Sequence, residues 1–151
     1  MSESCIQHIE TYWKLRTNTA NRLFKESKYE EALLIYEEAL YRAEVLNNHP
    51  SNAVALGIPF MQVFAISCNN IAFTYEEMGH AEKGKKMLER VVYYFLSLAK
   101  GESAGRNEIQ NELKRAVLTY KEFADRNDIS LSNQKNMLAH VQACLQVELP
   151  V

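Results

Sequence analysis

The chain has 151 residues, a formal net charge of −2 at pH 7, 47% hydrophobic residues and 24% charged residues. This length suits one globular domain with a core large enough to fold without disulfide or metal staples. The composition argues against disorder, and the slight negative charge argues against nucleic acid as a partner, because phosphate binding needs a basic face. With only five glycines and three prolines, long helices are favoured over many short strands.

The amino-acid sequence predicts no targeting signal. The first ten residues show no basic patch followed by an apolar run, so we expect no secretory signal. No window approaches the roughly 18 apolar residues that a membrane span needs, and we expect no membrane partner. Cys5, Cys68 and Cys144 stand far apart, which is typical of reduced thiols. We therefore expect a cytoplasmic protein.

Apolar residues recur at helical spacing along the whole chain, and no strand pattern competes with them. Hydrophilic breaks, Asn-Asn-His-Pro and Gly-containing turns separate the periodic stretches. The sequence predicts an all-α fold of about six helices in three antiparallel hairpins. The predicted helices cover about 6–25, 29–46, 59–78, 81–99, 106–124 and 131–147.

Small and large residues follow one another in the same order in two runs of the sequence, each of which spans parts of two predicted helices. In the run 20–40 they are Ala20, Leu23, Tyr29, Ala32, Tyr36 and Ala39. In the run 69–91 they are Ala72, Tyr75, Gly84, Leu88 and Val91. Both runs resemble the tetratricopeptide repeat, in which small residues let paired helices approach and large residues fill the space between repeats.

The resemblance implies a right-handed superhelix of the tetratricopeptide type within a single domain, 1–151. Its repeats would cover about 6–47 and 59–99, with a degenerate or capping pair at about 106–147. The separation of Ala32 from Gly84 is 52 residues, against about 34 in the standard repeat. Either the helices are extended, or the segment 51–58 adds a turn or a short helix.

The resemblance also implies a binding site, because the first helix of each pair lines a concave groove in this family. The groove residues carried over are Lys14, Thr17, Asn18, Asn21, Phe24, Lys25, Ile66, Asn69, Asn70, Phe73, Glu77, Lys114 and Arg115. Asn21 and Asn70 match the two asparagines with which tetratricopeptide co-chaperones hold a C-terminal carboxylate. The implied function is a protein-interaction module, an adaptor, co-chaperone-like protein or regulatory scaffold that binds a peptide or helix of another protein.

Three consecutive aromatic residues, Tyr93, Tyr94 and Phe95, suggest an alternative. They span most of a helix circumference, so at least one should face outward or meet another chain. Tyr93 and Tyr94 are the candidates for self-association. The alternative to a peptide-binding module is a compact homodimer whose groove is filled by its own last helix, 131–147, with no peptide ligand.

Catalytic and metal-binding patterns are weak in this sequence. It has no phosphate-binding glycine loop, no Cys-x-x-Cys and no His-Glu-x-x-His. Glu77 and His80 have the Glu-x-x-His spacing of di-iron helices, but those sites need a second copy and further inward glutamates. Cys68 lies on an apolar stripe and is expected in the core. We expect no enzyme activity, no catalytic residue, no metal and no cofactor.

Overall fold

The computed structural model describes residues 1–101 and 106–147, with the side chains of residues 106, 146 and 147 left outside the description. The predicted loop at 100–105 therefore lies mostly outside the described residues. Within the described part every regular element is helical, as the sequence predicts. The elements are α1 (Glu3–Lys25), α2 (Tyr29–Asn47), α3 (Pro50–Ala55), α4 (Phe60–Glu77), α5 (Ala81–Lys100), α6 (Arg106–Arg126), a 3₁₀ turn (Ser132–Gln134) and α7 (Lys135–Val147).

The described helices include one more than the six that the periodicity predicts. The additional helix is α3, in the long segment between the two repeat-like stretches, so the short-helix alternative is confirmed. Pro50 is the first residue of α3. Its missing N–H costs nothing there, because the first N–H groups of a helix have no acceptor within the helix. None of the described helices is both long and apolar enough to cross a membrane.

The chain divides into two compact units, Met1–Gly84 and Lys85–Val151. In the first unit, α2 packs against both α1 and α4. The pair α1–α2 is antiparallel, since Arg16 near the middle of α1 bonds Glu38 while Tyr12, one turn earlier, stacks on Arg42, one turn later.

The core of the first unit explains why the long connecting segment is ordered. Ala53 of α3 and Ile58 after it are almost fully buried and join the same cluster as residues of α1, α2 and α4. Burial of a side chain the size of isoleucine is worth about 1.5–3 kcal/mol, so the segment is held by its own apolar contacts. The cluster consists of Ile6, Trp13, Ala39, Ala43, Leu46, Ala53, Ile58 and Val63.

A buried polar link joins α1 to α4. The indole Nε1 of Trp13 donates to Oγ of Ser67 at 2.7 Å, and that hydroxyl donates to the Val63 carbonyl at 2.8 Å. Both Trp13 and Ser67 are buried. A buried indole N–H needs an acceptor, so Ser67 has a structural role in the core.

One backbone motif ends four of the helices. After α1, the Ser27 N–H bonds the Phe24 carbonyl and the Lys28 N–H bonds the Leu23 carbonyl, each at 2.9 Å. This pair of bonds is the Schellman motif, and it requires a residue with positive φ. The same pattern follows α3, α4 and α6. The residues with positive φ are Ser27 (61°), Gly57 (68°), Gly79 (79°) and Asp128 (55°).

The second unit is built from the rest of α5 with α6 and α7. Buried residues of α5 recur at helical spacing, from Leu88 to Phe95 and Ala99. Tyr120 of α6, which is fully buried, donates its hydroxyl to Glu89 of α5 at 3.3 Å. The helix α7 packs against α6. Among the α7 side chains that the structure describes, Met137 and Val141 are the most buried.

Candidate functional site

A pocket of about 220 Å³ opens within the first unit, where side chains of α1, α2 and α4 meet. The spacing of its residues explains how they come together. Three of them lie at positions i, i+3 and i+4 of α1, and two lie at positions i and i+3 of α4, so each set shares one helical face. The lining residues are Asn21, Phe24, Lys25, Tyr36, Asn70 and Phe73.

Five of the six lining residues belong to the groove predicted from the sequence. They come from both repeat-like stretches, Asn21, Phe24 and Lys25 from the first and Asn70 and Phe73 from the second. The structure therefore brings these residues together at one site.

The other predicted groove residues of the first unit do not line this pocket. Thr17 is buried, with 8% of its surface exposed. Lys14 is exposed and pairs with Glu10 at 3.7 Å. The remaining four are Asn18 and Glu77, which are exposed, Ile66, which is 43% exposed, and Asn69, which is half-buried.

The last two predicted groove residues lie on α6, in the second unit. Lys114 is exposed. The guanidinium of Arg115 bonds the carboxylate of Glu112 at 2.9 Å on the same helix. Their place in a common groove with the first unit stays a prediction.

Tyr36 is the pocket residue that the sequence does not identify as part of the site. Its hydroxyl donates to Oδ1 of Asn21 at 2.5 Å, and the side chain is only 3% exposed. Burial raises the pKa of Tyr36 above its ordinary value, so the phenol stays protonated and acts as a donor. Because the oxygen of Asn21 faces Tyr36, the amide NH₂ of Asn21 is the group left for a ligand.

Asn70 and Lys25 supply the remaining polar groups of the pocket. In the described part of the chain, no hydrogen bond engages the side chain of Asn70 and no ion pair engages Lys25. The backbone carbonyl of Asn70 accepts a bond from the Thr74 hydroxyl at 2.7 Å, and Asn70 itself lines the pocket. The site thus offers amide donors, an amide acceptor and one positive charge.

The apolar part of the pocket comes from Phe24 and Phe73. The Phe24 ring is held edge-to-face against Tyr29, with centroids 5.2 Å apart. Two phenylalanine rings beside amides and a lysine form a surface that can hold an apolar side chain and a nearby carbonyl or carboxylate. The lining contains no cysteine, histidine, serine or carboxylate that could act as a nucleophile or general base.

Other residues considered from the sequence lie elsewhere. His80 is exposed in the turn after α4, with its ring edge-to-face against Tyr75 at 6.4 Å. Across residues 1–101 and 106–147, no three His, Cys, Asp or Glu side chains are grouped to hold a metal ion. Tyr93 is 50% exposed, whereas Phe95 is buried and Tyr94 packs edge-to-face against it at 5.0 Å.

One comparison with known proteins gives a result. A family model described as Protein of unknown function (DUF2753) matches residues 11–149, a range that includes every residue lining the pocket. The chain therefore belongs to this family. Neither the curated proteins nor the solved structures contain a match to the chain.

Proposed function

We propose that this member of the DUF2753 family is a protein-interaction module that holds a peptide or helix of a partner in the pocket between α1, α2 and α4. The observation that carries the proposal is the convergence of Asn21, Phe24 and Lys25 with Asn70 and Phe73 around one opening. A concave site that combines apolar rings with a few polar groups is the usual form of a binding site.

The chemistry of the lining favours a peptide segment over a large cofactor. The pocket volume of about 220 Å³ is smaller than the volume of a typical site for a drug-sized ligand, which is about 300–1,000 Å³. It suits one or two side chains of a segment that continues along the surface. The amides of Asn21 and Asn70 can hold main-chain N–H and C=O groups, which every peptide offers. Lys25 adds attraction for a carboxylate.

The proposal extends to the architecture. We infer a superhelix of the tetratricopeptide type, in which α1–α2 and α4–α5 are the two repeats. In support, Ala20, Ala32 and Ala72 have no exposed surface and Gly84 is buried, as residues at close helix crossings must be. On this reading the protein acts in the cytoplasm as an adaptor or regulatory scaffold, by binding rather than by catalysis.

The test begins with a library of random peptides displayed on phage and selected against the full chain. Selected peptides are synthesised, and their Kd is measured by calorimetry. The pocket variant carries Lys25→Ala with Asn70→Ala and keeps Asn21, whose oxygen supports Tyr36. The matched control is Lys86→Ala with Asn136→Ala, which makes the same two changes at helical positions outside the pocket.

We expect the pocket variant to bind at least about tenfold more weakly, since two lost hydrogen bonds at about 1 kcal/mol each exceed the roughly 1.4 kcal/mol that corresponds to a factor of ten. The control should retain the wild-type Kd. Equal affinity in the pocket variant and the wild type, or no peptide enriched against the wild type, would show that this pocket is not the binding site.

A homodimer is the second candidate, because half of the Tyr93 surface is exposed. In that case sedimentation velocity should give a dimer at all accessible concentrations, and Tyr93→Ser should convert it to a monomer. A wild-type monomer would remove this candidate and leave the adaptor.

A further inference from the structure

The solvent side of α2 carries an apolar stripe that the core does not use. Leu34 is 64% exposed and Tyr41 is 62% exposed. They lie seven residues apart, about two turns, and therefore on the same side of the helix. Single exposed apolar residues are common on protein surfaces, but two large ones aligned along one helix form a stripe that another helix can cover.

Glutamates surround this stripe. All four helical neighbours of Leu34, at i−4, i−3, i+3 and i+4, are acidic. Glu30 and Glu31 lie in the first turn of α2, where negative charge also suits the helix dipole, whereas Glu37 and Glu38 lie in the middle of the helix, where the dipole gives no such reason. The surface defined by Leu34, Tyr41 and the carboxylates is called the α2 outer face. It consists of Glu30, Glu31, Leu34, Glu37, Glu38 and Tyr41.

Most of these carboxylates are available to a partner. Glu38 bonds the guanidinium of Arg16. In the described residues, no ion pair engages Glu30, Glu31 or Glu37. The α2 outer face therefore presents unpaired negative charge on both sides of its apolar stripe.

One end of the α2 outer face is already ordered. The Arg42 guanidinium lies 4.4 Å from the ring centre of Tyr12 and 5.2 Å from that of Tyr41. The Arg16 guanidinium also lies over the Tyr12 ring, 5.5 Å from its centre. Side chains that are fixed before binding lose little entropy when a partner covers them, so the Tyr41 ring, held by Arg42, is already ordered for a partner.

We propose that the α2 outer face docks a basic amphipathic helix of another protein. Leucine-like residues of that helix would cover Leu34 and Tyr41, and its flanking lysines or arginines would meet Glu30, Glu31 and Glu37. Charge complementarity selects this occupant. A second copy of the chain would bring two acidic faces together, and nucleic acid or an anionic membrane would be repelled.

This surface is separate from the pocket of the proposed function. Leu34 and Tyr36 are two residues apart, which places them about 200° apart around α2. Leu34 faces solvent, and Tyr36 is buried at the pocket. The two sites can therefore be tested independently and occupied together.

The experiment uses fluorescence anisotropy with the full chain and a labelled synthetic helix as the probe. The probe has leucines at i, i+3, i+4 and i+7 and lysines elsewhere, so that it presents one apolar face and one basic face. The apolar variant is Leu34→Ser, with Leu118→Ser on α6 as its control, because Leu118 is similarly exposed at 57%.

The charge variant is Glu30→Gln with Glu37→Gln. Its control is Glu122→Gln with Asp125→Asn, which removes the same charge from exposed positions of α6. We expect Leu34→Ser to weaken binding by about tenfold and the charge variant by about threefold or more, with the wild-type Kd weakening as salt rises. Both controls, and the pocket variant Lys25→Ala with Asn70→Ala, should bind the probe as the wild type does.

Four results would overturn the proposal. The first is a wild-type Kd weaker than about 1 mM. The second is equal binding of a probe in which glutamate replaces lysine. The third is an unchanged Kd in both α2 variants, each shown to be folded by circular dichroism. The fourth is a wild-type dimer that Leu34→Ser dissociates, which would identify the occupant as a second copy of this chain.

Discussion

The bond between Tyr36 and Asn21 is the most informative contact to perturb, because it shapes the pocket and links α1 to α2. Asn21→Ala removes the acceptor and leaves the Tyr36 hydroxyl without its partner. A buried polar group that loses its partner costs about 1–3 kcal/mol. The bond is only partly buried, at the lining of the pocket, so we expect the lower half of that range, about 1–2 kcal/mol.

The complementary change, Tyr36→Phe, removes the donor. Asn21 is only half-buried, so water can replace the lost donor and the cost should be about 0.5–1.5 kcal/mol. Once Tyr36→Phe is in place, Asn21→Ala has no bond left to break, and alanine is the better helix former. The double variant should therefore be at least as stable as the less stable of the two single variants. The coupling energy between the two substitutions should be about 1 kcal/mol.

The assay is urea unfolding followed by tryptophan fluorescence. Trp13 is the single tryptophan, and it is buried in the first unit, so the signal reports the unit that contains the bond. The control is Asn18→Ala, the same change at an exposed position of the same helix, which should alter stability by less than about 0.5 kcal/mol. Strictly additive losses in the double variant would refute the bond and the pocket geometry built on it.

The remaining predictions concern the core and the buried phenol. Ala32→Leu should cost about 1–3 kcal/mol by overpacking a residue with no exposed surface, and an unchanged Tm would show that Ala32 is not at a close helix crossing. Ser67→Ala should cost about 1–3 kcal/mol by leaving the Trp13 N–H unpaired, and Ser67→Thr, which restores a hydroxyl, should recover part of the loss. Burial raises the pKa of Tyr36, so the folded state holds this proton more tightly than the unfolded chain does. The stabilisation that comes from this raised pKa is therefore complete below the ordinary tyrosine pKa of about 10. It is lost as the pH rises through the higher pKa that Tyr36 has in the folded state. Urea midpoints at alkaline pH should fall less steeply in Tyr36→Phe than in the wild type, and parallel curves would contradict this assignment.

Helical periodicity was sufficient to locate the long helices. The predicted helix at 81–99 corresponds to Ala81–Lys100, and the one at 59–78 corresponds to Phe60–Glu77. Both carry apolar residues on one face over several turns, so local pattern and burial agree. The helix α3 has six residues, too few for a period to show, and only its burial with Ile58 gives it a structural role.

The five pocket residues named from the sequence were carried over from the tetratricopeptide resemblance, and helical register accounts for the way they share faces. Asn21, Phe24 and Lys25 follow from one face of α1, and Asn70 and Phe73 follow from one face of α4. Tyr36 could not be assigned in this way, because its bond to Asn21 joins residues that are 15 apart on different helices. The same holds for Trp13 and Ser67, which are 54 apart. Such bonds depend on how helices pack, and no local pattern encodes them.

The four Schellman turns have a consequence for engineering this protein. A side chain at Gly57 or Gly79 would meet no atom within 4 Å, so only the backbone angle favours glycine there. Ser27 adopts the same left-handed angle at a cost of about 1–2 kcal/mol that glycine avoids. Its hydroxyl contributes only an exposed 3.5 Å contact with Tyr29. After the extra freedom of glycine in the unfolded chain is subtracted, Ser27→Gly should raise stability by roughly 0.5–1 kcal/mol. The turn between α1 and α2 is therefore a place where thermal tolerance can be added without altering the pocket or the α2 outer face.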